Sequence, residues 1–184
     1  MFFKIEPISL GAKPSLLTQL RELASDYPII DLEALSHLPK GTLGYEYARY
    51  MLENKIQPLE ISPKLQAIAE QKPFAFRFTI THDLFHVLLG FDTSHAGEIG
   101  VFAFTVAQNY SICMSAFHPL VRFIYPFALL KQKKAIWENS RRGYTLGKQA
   151  DCLLLYQFEK DWTCSIDKIR DKLGLVLPEE CKEG

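Results

Sequence analysis

The chain has 184 residues, 48% of them apolar and 23% charged, with 21 basic and 21 acidic side chains. That is the length and mix of one globular domain with room for a core, not of a disordered segment. A net charge of zero leaves no basic excess to neutralise phosphates, so no nucleic-acid partner is expected.

The first ten residues, MFFKIEPISL, hold Glu6 and no long apolar run, and no targeting segment is expected there. No stretch of about 18 apolar residues offers a membrane span. Helical periodicity then dominates the chain. PSLLTQLRELASD starts with Pro14 in a first-turn position and repeats leucine at 16, 17, 20 and 23 along one face. DLEALSHL predicts a short helix. GTLGYEYARYMLENKI predicts a longer one, with Leu43, Tyr47 and Met51 four apart and Tyr50 beside them. PKLQAIAEQ is a weaker helical signal. FAFRFTITHDLFHVLLG reads as a long helix ending at Gly90, where a positive φ costs glycine nothing. FDTS supplies turn and capping side chains, and the helical pattern resumes with AGEIGVFAFTVAQNYSICMSA. LVRFIYPFALLKQKKAIWENSRRGY predicts one helix kinked near Pro126, or two; LGKQADCLLLYQFEKDW and CSIDKIRDKLGL follow. Period-two alternation never lasts. The expected fold is all-α, a single-domain irregular helical bundle over residues 1–184.

One stretch stands out. HDLFHVLLGFDTSHAGE, residues 82–98, sets three histidines, two aspartates and a glutamate among apolar residues. His82 and His86 lie one helical turn apart on one face, so their ring nitrogens can converge. Asp83 is about 100° further round, placed to bind at the edge of a site or to orient a water. Gly90 ends the helix and the next begins near Thr93 or Ser94. Folded as a hairpin, the two helices bring Glu98 level with His86. His95, one turn before Glu98, is an alternative ligand, and His95, Asp92 and Thr81 are candidates to orient the imidazoles. Two histidines with one or two carboxylates suit zinc, manganese, iron or cobalt better than the all-oxygen shells of calcium and magnesium. His37 and His118 stand alone and read as ordinary structural histidines. Cys113, Cys152, Cys164 and Cys181 form no C-x-x-C pair, which fits neither a disulfide framework nor a thiolate zinc site and points to a reducing compartment.

H-D-x-x-H is similar to the H-E-x-x-H of zinc proteases, but aspartate is one methylene shorter than the general base used there. A metal-dependent hydrolase with an H-D-x-x-H site is therefore the alternative reading. The full pattern, His82-Asp83-x-x-His86-x(11)-Glu98, resembles the signature of the ubiquinone (coenzyme Q) biosynthesis family whose founding member is the fourth Coq protein. GTLGYEYARYM resembles that family's G-T-x-G-x-x-Y-A stretch and HDLFHVLLG its H-D-L-W-H-V-L-x-G. ENSRRGYTLGKQADCLLLYQFEKDW resembles its R-x-G-x-x-x-G segment followed by an acidic-aromatic helix, and IRDKLGL its R-x-x-L-G-I end. The resemblance covers residues 38–178. It implies an all-helical fold, a metal at His82, Asp83, His86 and Glu98, binding of a polyprenyl quinone precursor or isoprenoid lipid, and a role in the quinone-biosynthesis complex at a membrane. It also implies a link to oxidative decarboxylation and hydroxylation at C1 of the prenylated ring.

The metal expected first is zinc, with manganese, iron, cobalt or magnesium as alternatives. In an enzyme, Asp83 and Glu98 would handle protons; in a scaffold, the ion would fix the helix hairpin. Phe85, Phe102, Phe123, Tyr125 and Phe127 are candidates to line a slot for a prenyl tail. Arg141, Arg142 and Lys148 are candidates for a lipid head group or anionic surface. The expected partners are other quinone-biosynthesis proteins and a second copy of the chain as a dimer. The expected location is cytoplasmic, or peripheral at the inner face of a bacterial membrane.

Overall fold

A computed structural model describes residues 11–23, 30–59, 69–116 and 132–177. Helix α1 (Pro14–Leu23) turns Leu16 and Leu20 inward, and its Pro14 stands where a missing N–H costs nothing. Helix α2 (Leu32–Ser36) is capped by Asp31, whose carboxylate accepts the Ala34 N–H at 3.0 Å. Helix α3 (Leu43–Glu53) is capped by Thr42 and buries Leu43, Tyr47, Ala48 and Met51. Helix α4 (Pro73–Leu89) is apolar nearly all round, with Phe74, Phe76, Phe85, Leu88 and Leu89 fully covered, as befits a central helix. It ends where Gly90 adopts φ +62°.

Helix α5 (His95–Ala107) starts at Ser94, whose hydroxyl accepts the Gly97 N–H. Helix α6 (Lys133–Gln149) lies along α5 at unusually close range. A Cβ on Gly143 would meet the Gly100 carbonyl at 2.0 Å, and one on Gly147 the Phe104 carbonyl at 2.4 Å. The two glycines of the R-x-G-x-x-x-G stretch thus exist to let two backbones touch. The chain closes with two short 3-10 helices, Leu153–Leu155 and Phe158–Lys160, and with α7 (Ile166–Lys172).

The fold is all-α, as expected. Among the described residues there is no strand, only the isolated bridges Ala12–Ser111 and Thr42–Ser165. Among the described residues the main apolar core runs from Leu20 through Tyr47, Phe78, Phe85 and Phe104 to Leu146, Ile169 and Leu173, with a small second cluster of Ala96, Ile99 and Ile136. None of the described helices is long and apolar enough to cross a membrane. Cys113, Cys152 and Cys164 are free thiols. His37 is the ordinary histidine its isolation suggested, with Nδ1 on the Glu33 carbonyl at 2.7 Å.

Two expectations need correction. The helix resuming at residue 96 does not run to 116. It stops at Gln108, and Asn109 reverses the chain at φ +53°. Nor does an acidic-aromatic α-helix follow α6: residues 150–165 hold only the two short 3-10 turns. The cause is tertiary. Arg77, buried in α4, sends its guanidinium to the carbonyls of Leu154 and Tyr156 and to the Glu159 carboxylate. A guanidinium from another helix thus holds three points of this segment, and the Tyr156 carbonyl also accepts the Phe158 N–H, a tight-turn bond rather than a helical one. Residues 117–131, including His118 and Pro126, lie outside the described residues, as does Cys181.

Candidate metal centre

His82, Asp83 and His86 stand on the C-terminal half of α4, and Glu98 in the first turn of α5. The turn between them sets the register. Gly90 ends α4, Phe91 donates its backbone N–H to the His86 carbonyl, and Asp92 and Ser94 shape the entry to α5. Asp92 thereby spends its carboxylate on the Ser94 hydroxyl at 2.6 Å. His95 points outward, exposed, and Thr81 donates to the Arg77 carbonyl within its own helix. None of these three orients an imidazole.

The orientation comes from elsewhere. His86 Nδ1 lies 3.2 Å from the Phe91 carbonyl, which can only accept, so Nδ1 carries the proton and Nε2 keeps its lone pair. Asp83 Oδ1 lies 3.6 Å from His82 Nδ1, an ion-pair contact that turns His82 the same way. Both Nε2 atoms then face one carboxylate: His82 Nε2 is 3.5 Å from Glu98 Oε2, and His86 Nε2 is 3.4 Å from Glu98 Oε1. The two rings meet edge to face with centroids 4.9 Å apart.

Ligand atoms of His82, His86 and Glu98 all lie within 4.8 Å of one another. Donors about 2.0–2.2 Å from a shared transition metal stand roughly 3–3.6 Å apart, which the two imidazole–carboxylate distances match. His86 is 1% exposed, and its Nε2 has no hydrogen-bond partner despite the nearby Glu98 oxygen. A buried, orphaned lone pair aimed at a carboxylate is costly in a finished core and is what a cation would satisfy. The residues present fit a divalent metal ion. The set is the two-histidine, one-carboxylate arrangement used by zinc and by non-haem iron.

Without a metal ion, the same contacts favour a charged pair between His82 and Glu98. Burial pulls the His82 imidazole down, but the carboxylates of Asp83 and Glu98 more than reverse this and push it up to about 9. Burial pushes Glu98 up, and the two imidazoles reverse that, holding it well below the usual carboxylate range. On α3, the Tyr50 ring stacks against His86 at 5.8 Å, and its phenol is raised by burial and by Asp83, Glu98 and Asp92.

Two arginines fasten the frame. Arg170 of α7, 6% exposed, donates to the Leu88 and Val87 carbonyls at the open end of α4 (3.0 and 3.1 Å). Arg142 of α6 donates to the Gly90 carbonyl at 2.8 Å and lies 3.9 Å above the Phe91 ring.

Residues 21–179 match the family described as "Coenzyme Q (ubiquinone) biosynthesis protein Coq4". The chain belongs to this family. Its relatives include the mitochondrial COQ4 homologues of Danio rerio, 32% identical over 81% of this chain and 55% of that protein, and of Homo sapiens, 30% identical over 84% and 58%. The chain therefore spans little more than half the length of those curated relatives. Among solved structures, a crystal structure from Nostoc punctiforme PCC 73102, titled as a ubiquinone biosynthesis protein, superposes with a TM-score of 0.71. It is 26% identical and covers 90% of this chain and 77% of its own.

Of the residues singled out from sequence, the structure gathers His82, His86 and Glu98, with Asp83 on the flank. Phe85 is a fully buried core residue against Phe78 and Phe104, and Phe102 is half-buried beside the core. Phe123, Tyr125 and Phe127 lie outside the described residues. Arg141 is exposed, and Lys148 lies 5.6 Å from the Tyr144 ring. Sequence reasoning missed Tyr50, Arg170 and the Phe91 carbonyl as parts of the site. Tyr50 had a signal, one turn after Tyr47 on a helix, but the carbonyl had none.

Proposed function

We propose that the chain is a metal- and polyprenyl-lipid-binding protein of quinone biosynthesis that organises other proteins of that synthesis. We further propose that it takes part in removing the C1 carboxyl of a prenylated ring. The observation that carries the reading is the convergence of two locked Nε2 atoms on Glu98 in a family of ubiquinone-biosynthesis proteins. Three converging protein ligands are fewer than the coordination number of the metals they suit, which favours a working site over a purely structural one. A divalent ion there would supply Lewis acidity toward a ring oxygen or carboxylate, and a redox-active one would also suit dioxygen as co-substrate.

The protein's own residues do the remaining work. His82, His86 and Glu98 hold the ion. Asp83 holds the His82 tautomer and takes or returns protons at Nδ1. The buried side of α4 excludes water. The contact of Asp83 with His82 supports this reading over a metal-dependent hydrolase, in which Asp83 would have to serve as the general base. Zinc suits the scaffold role; iron, manganese or cobalt suit the oxidative one. The half-buried Phe102 and the aromatic run at 123–127 are proposed to meet the prenyl tail, and Arg141 and Lys148 an anionic membrane surface. A dimer is proposed as the assembling unit.

The catalytic reading is tested by supplying a prenylated aryl carboxylate and measuring carbon dioxide release. Glu98→Ala is expected to lose at least 100-fold in rate with its helical circular dichroism intact. Full restoration of quinone synthesis by that variant in a deficient host would overturn it. For the lipid, delipidated protein is expected to recover isoprenoid from a membrane extract by native mass spectrometry; recovery of fatty acids alone would count against it.

A further inference from the structure

Two buried polar atoms without hydrogen-bond partners among the described residues belong to the same stacked pair. They are His86 Nε2 and the Tyr50 hydroxyl. The rings lie 5.8 Å apart and within 24° of parallel. A buried hydroxyl left unpaired costs folding free energy that phenylalanine at the same position would not incur. The ring alone would serve for packing. The Tyr50 ring lies against His86, one of the three converging residues, and its hydroxyl is covered without a partner.

A protonated phenol offers a donor, and its natural complement is an oxygen ligand that can only accept. Aryl carboxylates are such ligands. We propose that Tyr50 is a further binding residue of this site, donating its hydrogen bond to the carboxylate oxygen of an aryl carboxylate held at His82, His86 and Glu98. The inference rests on the metal reading above and adds to it a residue from a third helix. It also explains why α3 stacks a tyrosine on His86: the ring packs, and the hydroxyl selects. A site built to hydrogen-bond an oxygen discriminates strongly against ligands that lack it.

The test uses the full chain loaded with Co²⁺, wild type and Tyr50→Phe, titrated with benzoate while the visible Co²⁺ spectrum is recorded. The expected result has three parts. Co²⁺ affinity stays within threefold of wild type. Benzoate affinity falls at least tenfold in Tyr50→Phe. The metal-free variant melts at or above the wild-type temperature, because an unpaired hydroxyl has been removed. Equal benzoate affinity in the two proteins, no benzoate binding by Co²⁺-loaded wild type, or a lower melting temperature for the variant would each overturn the role of Tyr50. Wild type that takes up no Co²⁺ would overturn the metal reading itself, and the proposal with it.

Discussion

The Phe91 carbonyl sits 3.2 Å from His86 Nδ1, so a backbone group five residues along the chain decides which nitrogen of His86 faces Glu98. Asp83 does the same for His82 from the adjacent position. Donor and orienter differ in what their loss should cost, and the difference separates the roles of the motif residues. Asp83→Asn is expected to weaken metal binding about 10- to 100-fold while one ion still binds per chain. His82→Ala is expected to remove stoichiometric binding. Isothermal titration with Zn²⁺ would show it. Asp83→Asn behaving like His82→Ala would make Asp83 a direct ligand.

Without metal, the same contacts make the fold pH-dependent. His82 binds its proton more tightly folded, near 9, than at its ordinary value of 6.5. That contribution is fully present below about pH 6.5 and is lost as pH rises toward 9. Glu98, lowered from 4.5, contributes above about pH 4.5 and loses it as pH falls. The two share the contact between His82 and Glu98. The melting-temperature difference between wild type and Glu98→Gln, measured in chelator, should therefore be largest between about pH 4.5 and 6.5. A difference that grows toward pH 9 would contradict the assignment.

Gly143→Ala tests the contact between α5 and α6. The new Cβ would press on the Gly100 carbonyl, a backbone atom that cannot swing aside. Overpacking of this kind costs about 1–3 kcal/mol and more when backbone must move. We expect a loss at the upper end, read from urea denaturation. Gly41→Ala is a useful contrast: nothing lies within 4 Å of its Cβ position, and its cost comes only from φ +81°.

Arg170 serves the metal helix from a distance. Arg170→Ala would leave two carbonyls at the end of α4 unpaired in a buried place, at about 1–3 kcal/mol. The expected outcome is a lower melting temperature together with weaker metal binding, because the α4 end carries His86 into the turn. Unchanged metal affinity in a destabilised protein would limit Arg170 to a structural role.

Much of this was legible in the chain itself. Pro14 and Ser94 marked helix starts, and Gly90 marked an end, because caps and breakers act locally. The hairpin followed from them, and with it the level match of His86 and Glu98. What stayed hidden depends on distant partners. Residues 150–165 contain helix-compatible residues such as Leu153, Leu154 and Glu159, but Arg77 holds the Leu154 and Tyr156 carbonyls and the Glu159 carboxylate. Arg142 reads from sequence as a residue for a lipid head group or anionic surface, but its guanidinium lies on Phe91 and the Gly90 carbonyl. A glycine pair at 143 and 147 reads equally well as a helix weakness, and only the neighbouring backbone shows its purpose.

The central claim is that His82, His86 and Glu98 hold a divalent ion. It is tested most directly by elemental analysis of wild type and of the His82→Ala/His86→Ala double variant, each reconstituted with Zn²⁺, Mn²⁺, Fe²⁺ or Co²⁺ and then desalted. The account predicts one ion per chain in wild type and none in the double variant. Wild type that retains no ion from any of the four, or a double variant that retains as much as wild type, would contradict it.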